Sequence, residues 1–299
     1  MKQFDQVAWL SLGSEKNGAY LGIVRSSMAN QPTVRYGGSL TAVVVNPRTN
    51  WLTTNYILTD QGYRQNPNQP SQQYPYKYDA RSRPWYRAAA DTGKPVWSDI
   101  FQTPPASESD TIFISASHPV YDRNQNLKGV VAVDYILTDL QQYLSKEVRL
   151  SQRGETFIMD RSGNLVASSA GDRPFRMEND RRTDQRLSIT EMSNPLLKET
   201  ANHLKAKFQD FSTLTEIQKS EFVDEQGLRQ LVQISPYQDS WGLNWLVITV
   251  VPEADFLAAI QRNSYHTIAI CLGALGVAFI ISWREHPTFE KIVRQPGDH

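Results

Sequence analysis

"YDARSRPWYRAAADTGKPVWSD", residues 78–99, packs two arginines, a proline, a tryptophan and a tyrosine into positions 83–87 and then runs helix-like to a glycine. Ser82 suits a helix cap, Pro84 the first helical position and Gly93 the exit, so the stretch reads as one short helix. Its flanks read differently. "AYLGIVRS" (19–26), "LTAVVVN" (40–46) and "WLTTNYIL" (51–58) are strand-like runs, with "NPRTN" as a turn, and 61–80 reads as an irregular loop rich in Gln, Asn, Pro and Tyr. After the helix, "DTIFISASHPVYDRNQNLKGVVAVDYIL" (110–137) is strand, polar turn, strand, and Thr138 and Asp139 open a further helix. A helix set among antiparallel strands predicts an α+β fold.

The second half repeats the style. "GETFIMDRSGNLVASS" (154–169) is a hairpin, a polar helical region follows over about 190–209, and 230–260 again runs strand, turn, strand, acidic helix start. Set beside each other, "SASHPVYDRNQNLKGVVAVDYILTDLQQYL" and "VQISPYQDSWGLNWLVITVVPEADFLAAI" share that order. Two copies of one α+β unit follow, with a boundary near residue 150.

Composition narrows the function. Basic and acidic residues balance at 31 each, so no global charge points to nucleic acid. The single cysteine, Cys271, excludes an internal disulfide framework and lies in the most apolar run of the chain. No signal peptide is visible at the N-terminus. At the other end "TIAICLGALGVAFIISW" (267–283) is seventeen residues without a charge, about 26 Å as a helix. With Tyr265 and His266 it predicts a transmembrane helix over 265–283 rather than a buried core helix. Arg284, Lys291 and Arg294 beyond it, against Arg262 before it, place the tail 284–299 in the cytoplasm and the rest outside.

The five histidines form no HxH, HxxxH or HExxH spacing, and no GxSxG, Walker or GxGxxG motif occurs. No metal, cofactor or catalytic residue is expected. A hydrolase would need a nucleophile–base contact that sequence does not reveal.

Residues 83–87 have a physical use of their own. A guanidinium offers planar, paired donors to a carboxylate, and Trp85 and Tyr86 offer apolar walls with polar tips. Asp134, inside the apolar run "GVVAVDYIL", must face water or a specific partner. Two readings stay open on this chemistry: a ligand grip, or a staple of helix to sheet with Arg83 paired to Asp134 or Asp79.

The segments "YDARSRPWYRAAADTGKPVWSD", "ISASHPVYDRNQNLKGVVAVDYIL" and "ETFIMDRSGNLVASS" resemble the double Cache family of extracytoplasmic bacterial sensors, over about residues 4–283. "WGLNWLVITVVPEADFLAAI" is similar in style to cyanobacterial members. The resemblance implies two tandem PAS-like modules, membrane-distal (4–150) and membrane-proximal (151–262), ahead of the membrane helix. It implies a ligand in the distal module, its carboxylate on Arg83, Trp85 and Tyr86 and its ammonium on Asp134. Tyr56 is a further candidate. Where amino-acid-binding members carry Tyr-x-Asp, this chain has Phe101 and Thr103, so a small carboxylate, an amine or an amino-acid-like ligand is expected. The family's leading membrane helix and its output domain have no counterpart in the sequence, which implies a non-enzymatic sensor in the inner or plasma membrane, truncated before its output domain. The alternative is a structural or homodimerising domain with a vestigial pocket.

Overall fold

A computed structural model describes residues 9–25, 40–102, 111–148, 151–178 and 181–255. Its larger sheet is antiparallel. It is built from β1 (Trp9–Ser14), β2 (Tyr20–Arg25), β3 (Leu40–Val45), β4 (Leu52–Ile57), β5 (Gln72–Lys77), β6 (Val96–Trp97), β7 (Phe101–Gln102), β8 (Ile112–Tyr121) and β9 (Leu127–Ile136). The order is β5-β4-β3-β2-β1-β9-β8-β6, with β7 also on β8. The pairing of β1 with β9 joins residues more than 110 positions apart and closes the middle of the sheet.

Helix α1 (Pro84–Thr92) lies across one face of that sheet. Pro84 is its first residue, and Gly93, at φ 67°, ends it in the left-handed region. The cap differs from expectation: Arg83 occupies that position without capping the helix through its side chain, while Ser82 Oγ donates to the Asp79 carbonyl and closes the preceding turn. Trp85, Tyr86 and Ala89 are buried against Tyr20, Val43, Val45, Val130 and Ala132. Gly13 and Gly129 permit this packing, because a Cβ on Gly13 would meet Ala80 and the Tyr86 ring at 2.7 Å, and one on Gly129 the Gly13 carbonyl at 2.1 Å.

β9 passes directly into α2 (Leu137–Lys146), one residue earlier than Thr138 suggested. The smaller antiparallel sheet, ordered β11-β10-β16-β15-β14, contains β10 (Glu155–Asp160), β11 (Leu165–Ser168), β14 (Gln218–Val223), β15 (Arg229–Gln238) and β16 (Asn244–Pro252). β12 (Phe175–Glu178) and β13 (Arg181–Arg186) form a separate ribbon, and α3 (Pro195–Lys207) covers one face of the five-stranded sheet. The two sheets meet through an apolar cluster in which Ile112, Ile114, Leu137 and Leu144 pack with Ile158, Val166, Phe175 and Leu243. Trp97 Nε1 also donates to Asp239 Oδ2 at 2.6 Å, and Gln102 Nε2 to the Thr183 carbonyl at 2.8 Å.

Four hairpins turn by one device. Asp122, Asp160, Asp224 and Asp239 each accept, on Oδ1, main-chain N–H groups two and four residues on. The fourth turn position has positive φ and is Gly163, Gly227 or Gly242 in three cases, and Gln125 (φ 63°) in the other. The two segments matched in sequence are the hairpins β8–β9 and β15–β16.

No helix among the described residues is long and apolar enough to cross a membrane. The segments 265–283 and 284–299 lie outside the described residues, as does Thr103.

Candidate functional site

Asp134 sits on β9 opposite Trp9 of β1 and Ser115 of β8, so these three side chains share the face that α1 covers. Asp134 is 6% exposed. Ser115 Oγ meets Oδ1 at 2.5 Å and Ser11 Oγ donates to Oδ2 at 3.4 Å. Burial pushes the Asp134 carboxyl up to about 7, against these two hydrogen bonds, which favour the charged form.

Aromatic rings stand around this acid. On one side the Trp9 ring is 6.1 Å from Phe113, which is 5.8 Å from Phe101. On the other side Tyr20 lies 4.8 Å from Tyr78 and 6.2 Å from Trp85. Trp85 Nε1 donates to Tyr78 Oη at 3.2 Å, and the Tyr20 hydroxyl lies 3.1 Å from Ser11 Oγ. The Tyr20 hydroxyl and Trp9 Nε1 both hang over Gly22, where a Cβ would meet them at 2.3 and 2.5 Å. Trp9 Nε1 is buried with no acceptor in hydrogen-bond geometry among the described residues.

Arg83 closes the arrangement. Its guanidinium carbon is 5.7 Å from the centre of the Tyr78 ring and 5.9 Å from that of Phe101, and its Nη2 donates to the Gln102 carbonyl at 3.2 Å. Tyr78 feels both charges. Burial carries its hydroxyl up to about 12, Arg83 opposes the rise, and Asp134 adds to it. Neither staple pairing is found among the described residues: Asp79 is bound by Arg81 at 2.7 Å, and Asp134 by two serines. Tyr78 thus lies within electrostatic reach of a cation and of an acid, the two charges that a zwitterion would pair with.

Arg83, Trp85, Phe101 and Asp134 are therefore assembled around Tyr78 and Tyr20. Tyr86 stands 5.5 Å from Trp85 but turns toward the β1–β2 connection, where its hydroxyl donates to Glu15 Oε2 at 2.8 Å. Tyr56 is on the opposite face of the sheet. It pairs with Ala42, packs with Ala42 and Val44, and carries the Arg64 guanidinium 3.9 Å over its ring. Sequence reasoning missed Trp9, Ser11, Tyr20, Tyr78 and Ser115. Only Tyr78, five residues ahead of Arg83, stood inside the stretch that was singled out.

A Ser–His contact occurs elsewhere. His203 Nε2 lies 2.7 Å from Ser220 Oγ, and Lys207 Nζ donates to the same oxygen at 2.9 Å. The imidazole is stacked on Phe222 (5.0 Å) and the serine is 9% exposed, so the trio latches α3 to β14. Among the described residues no group of three His, Cys, Asp or Glu side chains could hold a metal ion.

This is an α+β domain with a buried acid and an arginine set among aromatic rings. The chain belongs to the Cache family: the dCache_1 model, described as "Cache domain", matches residues 25–260. It is 32% identical over 99 residues to the methyl-accepting chemotaxis protein McpC of Bacillus subtilis, covering 33% of this chain and 14% of that protein. It is 29% identical over 143 residues to McpA of Pseudomonas putida, covering 47% and 21%. The matches thus span about a fifth or less of those relatives' length. Among solved structures, the ligand-binding domain of the Pseudomonas aeruginosa chemoreceptor PctB with L-Arg aligns at 16% identity and TM-score 0.45, covering 86% of this chain and 70% of that one.

Proposed function

We propose that this chain is the extracytoplasmic small-molecule sensor module of a membrane signalling receptor. The observation that carries the reading is that Arg83 and Asp134 both stand within electrostatic reach of Tyr78, each bound only to neutral groups among the described residues. Membership in the Cache family and its chemotaxis-protein relatives support it. In this reading residues 4–150 are the ligand-binding, membrane-distal module and 151–262 the proximal one. Residues 265–283 span the membrane and 284–299 face the cytoplasm. The ligand carboxylate lies on Arg83 and Trp85, its cation on Asp134.

A thermal-shift screen of the chain against amino acids, amines and small carboxylates tests this. A ligand at 100 times Kd raises stability by about 2.7 kcal/mol, a readily measured shift. The expected result is a hit lost in Arg83→Ala and in Asp134→Ala. A hit untouched by both substitutions, or no hit at all, overturns the reading.

A further inference from the structure

A second cavity lies in the other half of the chain, away from Arg83 and Asp134. It holds about 150 Å³ between the C-terminal end of α2 and the start of β10, room for several waters or a short organic molecule. Leu144, Ser145 and Val148 line one side, and Glu155, Thr156 and Ser169 the other. Two main-chain contacts fix the second group. Thr156 N–H donates to Ser169 Oγ at 2.9 Å, and Ser169 N–H to the Thr156 carbonyl at 2.8 Å.

The donors of this lining are spent. Ser169 Oγ gives its proton to Glu155 Oε2, and Ser145 Oγ gives its own to the Gln142 carbonyl at 3.0 Å. The N–H of Gly154, also in the lining, goes to Ser151 Oγ at 2.8 Å, and the Thr156 hydroxyl shares one bond of 3.4 Å with Thr249. Acceptors remain. Ser145 Oγ keeps both lone pairs and Ser169 Oγ one. Glu155 Oε1 receives no hydrogen bond, and the carboxylate meets no cation, among the described residues. Such a lining has little to offer an anion and matches a cation that carries several N–H groups. Leu144 is buried and Val148 half-buried, so an apolar strip lies beside the acceptors.

We propose that this cavity is a second ligand site, taking a short primary alkylammonium with its N–H groups on Glu155 Oε1, Ser145 Oγ and Ser169 Oγ and its alkyl chain along Leu144 and Val148. The site does not depend on the reading of Arg83 and Asp134. Its occupant bridges α2, which continues directly from the strand of Asp134, to the second sheet.

The test is calorimetry on the chain with ethylammonium, propylammonium, tetramethylammonium and acetate at one pH and ionic strength. The two primary amines are expected to bind at least tenfold tighter than tetramethylammonium, which has no N–H, and than acetate. Glu155→Gln should lower amine affinity at least tenfold and Ser145→Ala at least threefold, the latter with a melting temperature within a degree or two of the native chain. Asp134→Asn should change it less than twofold. No binding by either amine, or binding that Glu155→Gln and Ser145→Ala both leave intact, overturns the inference. Amine binding lost in Asp134→Asn and kept in Glu155→Gln also overturns it, and leaves the sensor reading standing. If no ligand depends on Arg83 and Asp134 while the amines depend on Glu155, the sensor reading falls and this inference stands.

Discussion

Ser115 and Asp134 face each other across the β8–β9 ladder, with the serine hydroxyl 2.5 Å from a carboxyl group that has almost no contact with water. The burial of this acid makes the stability of the protein depend on pH. The Asp134 carboxyl rises from 3.8 in the unfolded chain to about 7 in the fold. The folded state therefore holds a proton that the unfolded state has released between those values. The contribution to stability is fully present below about pH 4, declines as pH rises to about 7 and is constant above that. At about 1.4 kcal/mol per pH unit the full effect is at most a few kcal/mol. Chemical denaturation from pH 4 to 8 should show this decline, and Asp134→Asn should flatten it. An unchanged slope in the variant would assign it to other groups.

Ligand affinity should run the other way. A cationic ligand prefers the ionised acid, so binding releases a proton below about pH 7. Affinity should weaken by up to tenfold for each pH unit below 7 and level off above it. Calorimetry in buffers of different ionisation enthalpy measures the proton released; no release at pH 6 would place the cation elsewhere.

Gly22 makes room for the Tyr20 hydroxyl and the Trp9 indole. A methyl group there would sit 2.3 Å from the Tyr20 hydroxyl and 2.5 Å from Trp9 Nε1, displacing both rings from the wall. Gly22→Ala should cost about 1–3 kcal/mol in stability through overpacking. It should also lower, by at least tenfold, affinity for any ligand that the thermal-shift screen identifies. Native affinity in this variant would show that neither ring touches ligand.

Gln125 occupies the one Asp-led turn whose positive-φ position is not glycine. Gln125→Gly should raise stability by about 0.5–1 kcal/mol, since the strain relieved in the left-handed region exceeds the entropy that glycine adds to the unfolded chain. Gly242→Gln, in the turn of the matching β15–β16 hairpin, should do the reverse. Melting temperatures of the pair check this.

Trp97→Phe removes a 2.6 Å hydrogen bond to Asp239, at a cost of about 1.5–3 kcal/mol for a bond to a charged group. Hydrogen exchange should quicken at the Asp239 turn before it does in the sheet cores. Equal protection in variant and native chain would mean that the apolar cluster alone holds the sheets together.

What could be read from the sequence depended on how local it was. Pro84 and Gly93 frame α1 because each acts on its own backbone, and the Asp-led turns announce themselves within five residues. Asp134 stood out because a carboxylate in "GVVAVDYIL" needs a partner. The partners themselves were hidden. Trp9, Ser11 and Tyr20 reach Asp134 only through the β1–β9 and β1–β2 registers, and the first of these joins strands separated by most of the first half of the chain. β5 was read as a loop because its "QQYPYK" carries no apolar face; it is an exposed edge strand held by the ladder to β4. Tyr56 illustrates the opposite error, for it is an aromatic residue on a neighbouring strand whose alternation sends it to the far side of the sheet.

Ile136 ends β9 and Leu137 begins α2, so no loop separates the strand bearing Asp134 from the helix packed on the second sheet. Asp134 and Leu137 are three residues apart, roughly 10 Å of continuous backbone. Loops absorb motion by changing their dihedral angles; a strand that becomes a helix has little slack to give. Asp134 is thus tied by a stiff link to Leu137 and Leu144, which share one apolar cluster with Ile158 and Val166, as a drawbar couples a load to what pulls it.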